Sequence, residues 1–182
     1  MKLVVLDRDG VINQDSDQYV KSPAEWVPIA DSLEAIANLT QAGWRAVVAS
    51  NQSGIGRGIF DMHALNAMHE KMHRLVSQAG GQIDAIVFCP HDPSEQCACR
   101  KPAPGMLLEI AERFNVKPET LPMVGDSLRD LQAISAVGGY PILVKTGKGI
   151  ETLEANNLPE NTRVFDTLYD AAEYLIQSPD FQ

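Results

Sequence analysis

Short, unbroken apolar runs alternate along this chain with stretches in which apolar residues recur every three or four positions. Lys2–Asp7 (KLVVLD), Arg45–Ser50 (RAVVAS), Ile83–Cys89 (IDAIVFC), Leu121–Gly125 (LPMVG) and Pro141–Lys145 (PILVK) are rich in Val, Ile and Leu without alternation. That is the pattern of parallel strands covered on both faces. Between them the helical periods have recognisable ends. Asp31, with Glu34 three residues on, predicts a capped helix that Gly43 stops. Asp61 predicts the cap of a second helix running to Gly80-Gly81, and further helices fit Gly105–Asn115, Ser127–Val137 and Thr167–Gln177. This strand–helix–strand repetition predicts a doubly wound α/β fold, a mostly parallel sheet with helices on both faces. No repeat, low-complexity tract or linker divides the 182 residues, a length that suits one domain. In such sheets ligands bind outside the carboxyl ends of the strands, so the chemistry is sought where each apolar run stops.

The first run ends Leu6-Asp7-Arg8-Asp9-Gly10. On an extended chain residues two apart share a side, which predicts that Asp7 and Asp9 converge while Arg8 points away. Another run ends Gly125-Asp126, with Asp130 one helical turn later. Carboxylates gathered at one sheet edge repel one another unless a cation joins them, and hard oxygen donors of this kind suit Mg²⁺. The second run leads into Ser50-Asn51-Gln52-Ser53-Gly54-Ile55-Gly56-Arg57-Gly58. Its three alternate glycines free the backbone to present N–H donors, and Ser50, Asn51 and Ser53 add side-chain donors, which fits a cradle for phosphoryl oxygens. The loop matches neither a Walker sequence nor a dinucleotide fingerprint.

All three cysteines lie in the stretch Cys89-Pro90-His91-Asp92-Pro93-Ser94-Glu95-Gln96-Cys97-Ala98-Cys99. Three thiolates and the His91 imidazole at this spacing make a closed tetrahedral set, the pattern of structural Zn²⁺. A disulfide would leave one cysteine over, and Cys97-Ala98-Cys99 is too short for a relaxed bridge between its ends. Such a site holds a loop rather than reacts, and here it would fix Arg100 and Lys101. His69-Glu70-Lys71-Met72-His73 also matches H-E-x-x-H, a zinc-protease signature. Both histidines are expected along the border of the apolar stripe Leu65, Met68, Met72, Leu75, Val76 and Ala79, and no third ligand follows. The match is read as coincidence.

Charge narrows the partners. Fifteen Lys and Arg against 24 Asp and Glu give a net charge of −9, which repels nucleic acid and anionic membrane over most of the surface. Any phosphate site must therefore be built locally. An unbroken run of only four apolar residues precedes Asp7, too few for a signal-peptide core, and no run approaches the roughly 18 of a membrane span. A cytoplasmic, monomeric protein with a small-molecule substrate is expected.

In order along the chain, the apolar run with Asp7-x-Asp9-Gly10, the run with Ser50, Lys101, and Gly125-Asp126-x-x-x-Asp130 resemble the four motifs of haloacid-dehalogenase-like phosphatases, over about positions 3 to 130. The resemblance implies Asp7 as the nucleophile of an aspartyl-phosphate and Asp9 as proton donor, then base. It implies Mg²⁺ held by the Asp7 carboxylate, the Asp9 backbone carbonyl and Asp126, with Asp130 in support. Ser50, Asn51, Gln52, Ser53 and Lys101 would surround the phosphate. The intervals between the motifs leave no room for a separate cap domain, so the loop of residues 13–26 and the zinc loop alone would cover the site. Asp7-Arg8-Asp9-Gly10, Ser50-Asn51-Gln52-Ser53-Gly54, the Cys-Pro-His…Cys-x-Cys-Arg-Lys-Pro loop and Pro104-Gly105-Met106 further resemble a family of heptose bisphosphate phosphatases that serve lipopolysaccharide core or related heptose glycan synthesis. The five residues between His91 and Cys97 are instead similar to the loop of histidinol-phosphate phosphatases. On the heptose resemblance Arg100 would hold the second phosphate, and Asp15, Ser16 and Tyr19 would close over the sugar. Ser127 stands where relatives can carry lysine, which leaves the anomer open. A non-catalytic, zinc-stabilised scaffold is the reading from another class, and the intact Asp7 and Asp9 speak against it.

Overall fold

The computed structural model describes residues 1–181. Its strands are β1 (Lys2–Leu6), β2 (Trp44–Asn51), β3 (Ala85–Cys89), β4 (Pro122–Gly125), β5 (Tyr140–Val144) and β6 (Arg163–Phe165). All pair in parallel, in the order β3-β2-β1-β4-β5-β6. The helices are α1 (Ser32–Gln41), α2 (Ser53–Gly56), α3 (Met62–Gln78), α4 (Gly105–Phe114), α5 (Leu128–Ala136), α6 (Gly149–Glu154) and α7 (Leu168–Gln177). The doubly wound α/β expectation holds.

The unbroken apolar runs have a simple cause. In β1, Val4 and Leu6 face a core closed by α1, α3 and α7, while Leu3 and Val5 face a second core closed by α4 and α5. Alternate side chains thus meet different helix layers, and both sets must be apolar. Each Val or Leu so buried contributes about 1.5–3 kcal/mol of transfer free energy.

Chain order fixes the functional edge. After β1 the chain builds outward through β2 and β3, then crosses to β4 on the other side of β1. Leu6 pairs with Val124, so Asp7 and Asp126 emerge together at this switch point.

Some local expectations need correction. Asp31 precedes α1, but its backbone is left-handed (φ 66°) and its side chain caps nothing; Ser32 instead anchors the helix start, donating from Oγ to Val11 O at 2.8 Å. The caps at Asp61 and Thr167 are present, and Gly43 closes α1 at φ 81°. The edge strand β6 and the short helices α2 and α6 were not anticipated, because three to six half-buried residues carry too little periodicity.

The H-E-x-x-H stretch lies on α3, where His69 and His73 do not share an environment. His69 is 8% exposed and packs edge-on against Phe88 at 6.1 Å, inside the core rather than at its border, whereas His73 is exposed. Among the described residues neither belongs to a cluster able to hold a metal. Lys71 between them has its own task, donating to Pro23 O (2.6 Å) and Trp26 O (2.7 Å) and so pinning the first loop to α3.

Burial first, then the charges of Arg8 and His73, hold the His69 imidazole down at about 4, so it is neutral in the fold. The unfolded chain takes up its proton near 6.5, the folded chain only near 4; stability is therefore full above about 6.5 and falls as pH drops toward 4. Between pH 7.5 and pH 5 this group should cost the wild type about 2 kcal/mol, and His69→Gln should flatten the pH dependence of denaturant unfolding by that amount. An identical acid loss in both proteins would show that His69 protonates as readily folded as unfolded.

Candidate active site

Three carboxylates meet at the β1/β4 switch. Asp7 extends β1, donating from its N–H to Val124 O at 2.9 Å, and Asp126 extends β4. Asp130 sits in the first turn of α5, where its Oδ2 accepts from the Ser127 N–H (3.0 Å) and Oγ (2.7 Å). Carboxylate oxygens of Asp7, Asp126 and Asp130 lie within 4.8 Å of one another. Lys101, only 2% exposed, enters this group from below: its Nζ ion-pairs with Asp7 Oδ1 at 2.9 Å and Asp130 Oδ1 at 2.6 Å, and donates to Ala49 O at 2.7 Å.

One buried cation does not balance three buried acids. Although burial opposes the charge, Lys101 and Ser127 hold Asp130 below the usual carboxylate range. Burial and the Asp130 charge raise Asp7 to about 7 despite Lys101, and burial with the Asp7 and Asp130 charges raises Asp126 to about 8. Hard oxygen donors with surplus negative charge, open to a cavity, fit Mg²⁺.

Asp126 is gripped from its far side by the turn after β5, which sequence reasoning missed. The Lys148 N–H donates to Asp126 Oδ2 at 2.8 Å, Thr152 Oγ1 to Asp126 O at 2.9 Å, and Thr146 Oγ1 to Gly10 O at 2.6 Å. A Cβ at Gly10 or Gly147 would lie about 2 Å from Asp126 Oδ2, so both glycines are needed for this approach. The visible signal was the Lys145-Thr146-Gly147-Lys148-Gly149 segment directly after an apolar run.

Asp9 lines the same cavity as Asp7, as expected, but strand alternation does not put it there, and Arg8 is placed differently from the expectation. β1 ends at Leu6 and the chain winds into a turn in which the N–H groups of Val11, Ile12 and Asn13 all point to Arg8 O. Alternation therefore fails, and Arg8 does not point away: fully buried, it bonds Asp9 through Nε (3.1 Å) and Nη2 (2.9 and 3.0 Å). Asn13 Nδ2 and Gln52 Nε2 also donate to Asp9, each at 2.8 Å. Burial opposes the charge, yet these donors, Arg8 foremost, hold the Asp9 carboxyl below its ordinary value.

The phosphate-loop expectation divides in two. Ser50 and Ser53 are buried and line the cavity. The side chains of Asn51 and Gln52 also reach it but are already engaged. Asn51 clasps the Lys101 backbone, Nδ2 to O at 3.0 Å and N–H to Oδ1 at 3.0 Å; Gln52 Nε2 bonds Ser50 Oγ at 2.7 Å as well as Asp9. Gly54 and Gly56 lie in α2 with ordinary φ and serve packing: a Cβ at Gly54 would strike the Phe60 ring, and one at Gly56 would strike Pro90 O and Asp92 N. Only Gly58 has the freed backbone, at φ 69°.

The donor atoms of Cys89, His91, Cys97 and Cys99 all lie within 4.8 Å of one another. Their Sγ–Sγ distances are 3.2–3.5 Å and His91 Nδ1 is 3.2 Å from Cys99 Sγ. That is far beyond a disulfide bond and close to the roughly 3.7 Å edge of a tetrahedron with about 2.3 Å Zn–S bonds. Soft donors in a closed set fit Zn²⁺.

A cavity of about 380 Å³ opens above the carboxylates. Asp15, Ser16 and Tyr19 of the first loop, Arg100 and Lys101 after the zinc loop, and Ser127 line it as expected; Arg57, Arg129 and Lys148 line it without having been anticipated. Lys148 Nζ reaches back to Asp15 (3.5 Å) and Asp17 (3.4 Å), tying the first loop to the turn that grips Asp126.

Comparison with known proteins bears on all of this. Residues 98–171 match a family model described as "HAD-hyrolase-like", and residues 2–133 match one described as polynucleotide kinase 3 phosphatase. The chain is 59% identical over 179 residues to the D-glycero-beta-D-manno-heptose-1,7-bisphosphate 7-phosphatase of Neisseria meningitidis serogroup A, covering 97% of this chain and 96% of that protein. The crystal structure of D,D-heptose 1,7-bisphosphate phosphatase from B. bronchiseptica complexed with magnesium and phosphate superposes with a TM-score of 0.96, at 58% identity over 97% of this chain and 99% of that one. The enzyme of the same name from Burkholderia thailandensis superposes with a TM-score of 0.79, at 54% identity over 98% of this chain and 100% of that one.

Because Lys101 is, among the described residues, the only cation buried between these acids, Lys101→Met should lower the unfolding free energy by about 3–5 kcal/mol without added Mg²⁺ at pH 8.5. The loss should shrink at pH 6, below the raised values of Asp7 and Asp126, where protons can replace the missing cation. Urea unfolding at the two pH values tests this, and a pH-independent loss would contradict it.

Proposed function

We propose a residue-by-residue reading of the site from one premise: the chain belongs to the D-glycero-beta-D-manno-heptose-1,7-bisphosphate 7-phosphatases, a family of haloacid-dehalogenase-like hydrolases. On this reading it hydrolyses the C7 phosphate of the β-anomeric bisphosphate, giving heptose 1-phosphate and inorganic phosphate for heptose glycan precursor synthesis. The observation that carries it is the meeting of Asp7, Asp126 and Asp130 around Lys101 at the floor of a cavity rimmed by arginines.

Asp7 Oδ1 is held by Lys101 and by the Arg8 N–H at 2.7 Å, which leaves Oδ2 as the attacking atom. Its bond to phosphorus forms as the bond from phosphorus to the C7 oxygen breaks, and Asp9 gives the departing oxygen its proton. Asp9 then takes a proton from water, whose oxygen attacks the aspartyl-phosphate; phosphate leaves and Asp7 is restored. The grip of Arg8, Asn13 and Gln52 favours the ionised Asp9 of this second step, so donation in the first requires Asp9 to turn from Arg8 toward the cavity. The Asp7 carboxylate, the Asp9 backbone carbonyl and Asp126, with Asp130 behind, would hold Mg²⁺, which would supply charge neutralisation for phosphoryl transfer. Ser50 and Ser53 bind the transferring phosphoryl group, while Asn51 and Gln52 hold Lys101 and Asp9 in place. Arg100 takes the second phosphate, and Asp15, Ser16 and Tyr19 contact the sugar. Ser127 sits beside them, its hydroxyl committed to Asp130.

Cys89, His91, Cys97 and Cys99 hold Zn²⁺, which orders the loop that delivers Arg100 and Lys101. No helix among the described residues is long and apolar enough to cross a membrane, and a cytoplasmic, single-domain enzyme suits a small phosphorylated sugar. The net charge of −9 disfavours a polynucleotide end as substrate.

The reading is tested by kcat/KM on heptose 1,7-bisphosphate against histidinol phosphate. The bisphosphate should win, and Asp7→Asn should abolish its turnover while the fold persists. A tenfold advantage for histidinol phosphate, about 1.4 kcal/mol of transition-state preference, would overturn the substrate; wild-type turnover by Asp7→Asn would overturn the mechanism. Metal analysis tests the zinc ligands: Cys97→Ser should lose the one zinc per chain and His73→Ala should keep it. The reverse result would move the metal to α3.

A further inference from the structure

Cations at the cavity rim are poorly compensated. Arg57, Arg100, Arg129 and Lys148 all line it. Lys148 is matched by Asp15 and Asp17, and Arg57 by Asp92, with Nε 2.8 Å from Oδ2. Among the described residues, Arg100 and Arg129 have no acid within 4.0 Å, in a chain with nine more acids than bases. Arg100 Nη1 is buried with no hydrogen-bond partner.

The position of Arg129 makes the imbalance sharper. It is the second residue of α5, a nine-residue helix whose N-cap is Ser127. The first turn of a helix carries the positive end of its dipole, so a cation there is disfavoured. The one acid of that first turn, Asp130, is spent on Lys101 and Ser127; two guanidiniums lining one cavity, neither paired with an acid, make an arrangement that an anion from outside completes. Ser127 offers no charge, and its hydroxyl is spent on Asp130. The transferring phosphoryl group already has Lys101, the acids' metal and the serines; the uncompensated pair lies at the rim, where the far end of a bisphosphate would reach.

We infer that Arg129 is a specificity-determining residue, which together with Arg100 grips the second phosphate of a sugar bisphosphate from the α5 side of the cavity. This rests on the proposed function and adds a reader that the sequence pattern did not mark. Two planar forks converging from the zinc loop and from α5 can share one phosphate in charge-assisted hydrogen bonds, which selects bisphosphates over monophosphates.

The test compares heptose 1,7-bisphosphate with heptose 7-phosphate, which keeps the scissile group and lacks the second phosphate. The readout is the ratio of their kcat/KM values in the wild type, Arg129→Met and Arg129→Lys. Arg129→Met keeps the aliphatic stem and loses the charge; it should lower the ratio about tenfold, mainly through KM for the bisphosphate, and Arg129→Lys should recover much of it. An unchanged ratio, or an equal fall on both substrates, would overturn the role of Arg129 while leaving the proposed function standing. A wild type that does not prefer the bisphosphate would overturn the substrate reading and this inference together, and that outcome is visible before any variant is made.

Discussion

The buried ion pairs of Lys101 are the interaction on which the site depends. Three carboxylates converge at the β1/β4 switch because the strand register brings Asp7 and Asp126 out side by side and the first turn of α5 adds Asp130. Without a cation that concentration of charge would open the sheet edge or draw protons from solvent. Lys101, nearly out of reach of water, ties Asp7 to Asp130 and to the Ala49 carbonyl, joining β1, β2 and α5 through one ammonium group. It leaves part of the charge uncompensated, a surplus of hard oxygen donors that suits a divalent cation.

Much of the surrounding structure serves to deliver or hold these groups. The zinc-fitting cluster ends one residue before Arg100, so the loop it gathers sets where the Lys101 backbone starts, and Asn51 clasps that backbone at both its N–H and its carbonyl. On the opposite side, Gly10, Gly147 and the Lys148 N–H enclose Asp126 so closely that a methyl group at either glycine would displace it. Lys148 carries that constraint outward to Asp15 and Asp17 of the first loop. The first loop is thereby tied to the floor of the site.

The candidate site was only partly legible in the chain. Asp7, Asp126, Asp130 and Lys101 could be picked out because each follows an apolar run or stands in an ordered motif. The cysteines and His91 could be picked out because soft donors at short spacing have few other uses. Arg8 was misjudged because β1 stops at Leu6, and once the chain turns, the period of two no longer decides where a side chain goes. Asn51 looked like a ligand donor because an amide after a strand is chemically suited to phosphate, yet its partner is a backbone fifty residues away. Arg129 carried no signal, since on a helix turn it looks like any solvated cation.

What the sequence by itself determined was whatever depends on local repetition. Continuous apolar runs define strands buried on both faces, helical periods with Asp61, Thr167 and Gly43 at their ends define helices, and their alternation defines a parallel doubly wound sheet. It also determined the donor inventory, hard oxygens at strand ends and soft sulfurs in one loop, because ligand chemistry belongs to the side chains themselves. Tertiary structure alone decided which of those groups face one another: that Arg8 grips Asp9, that Asn51 holds Lys101, that His69 is buried while His73 is not, and that two arginines from distant segments share a cavity wall without an acid. These are outcomes of packing between segments far apart in the chain, where the balance of burial against charge is set by neighbours that no local pattern names.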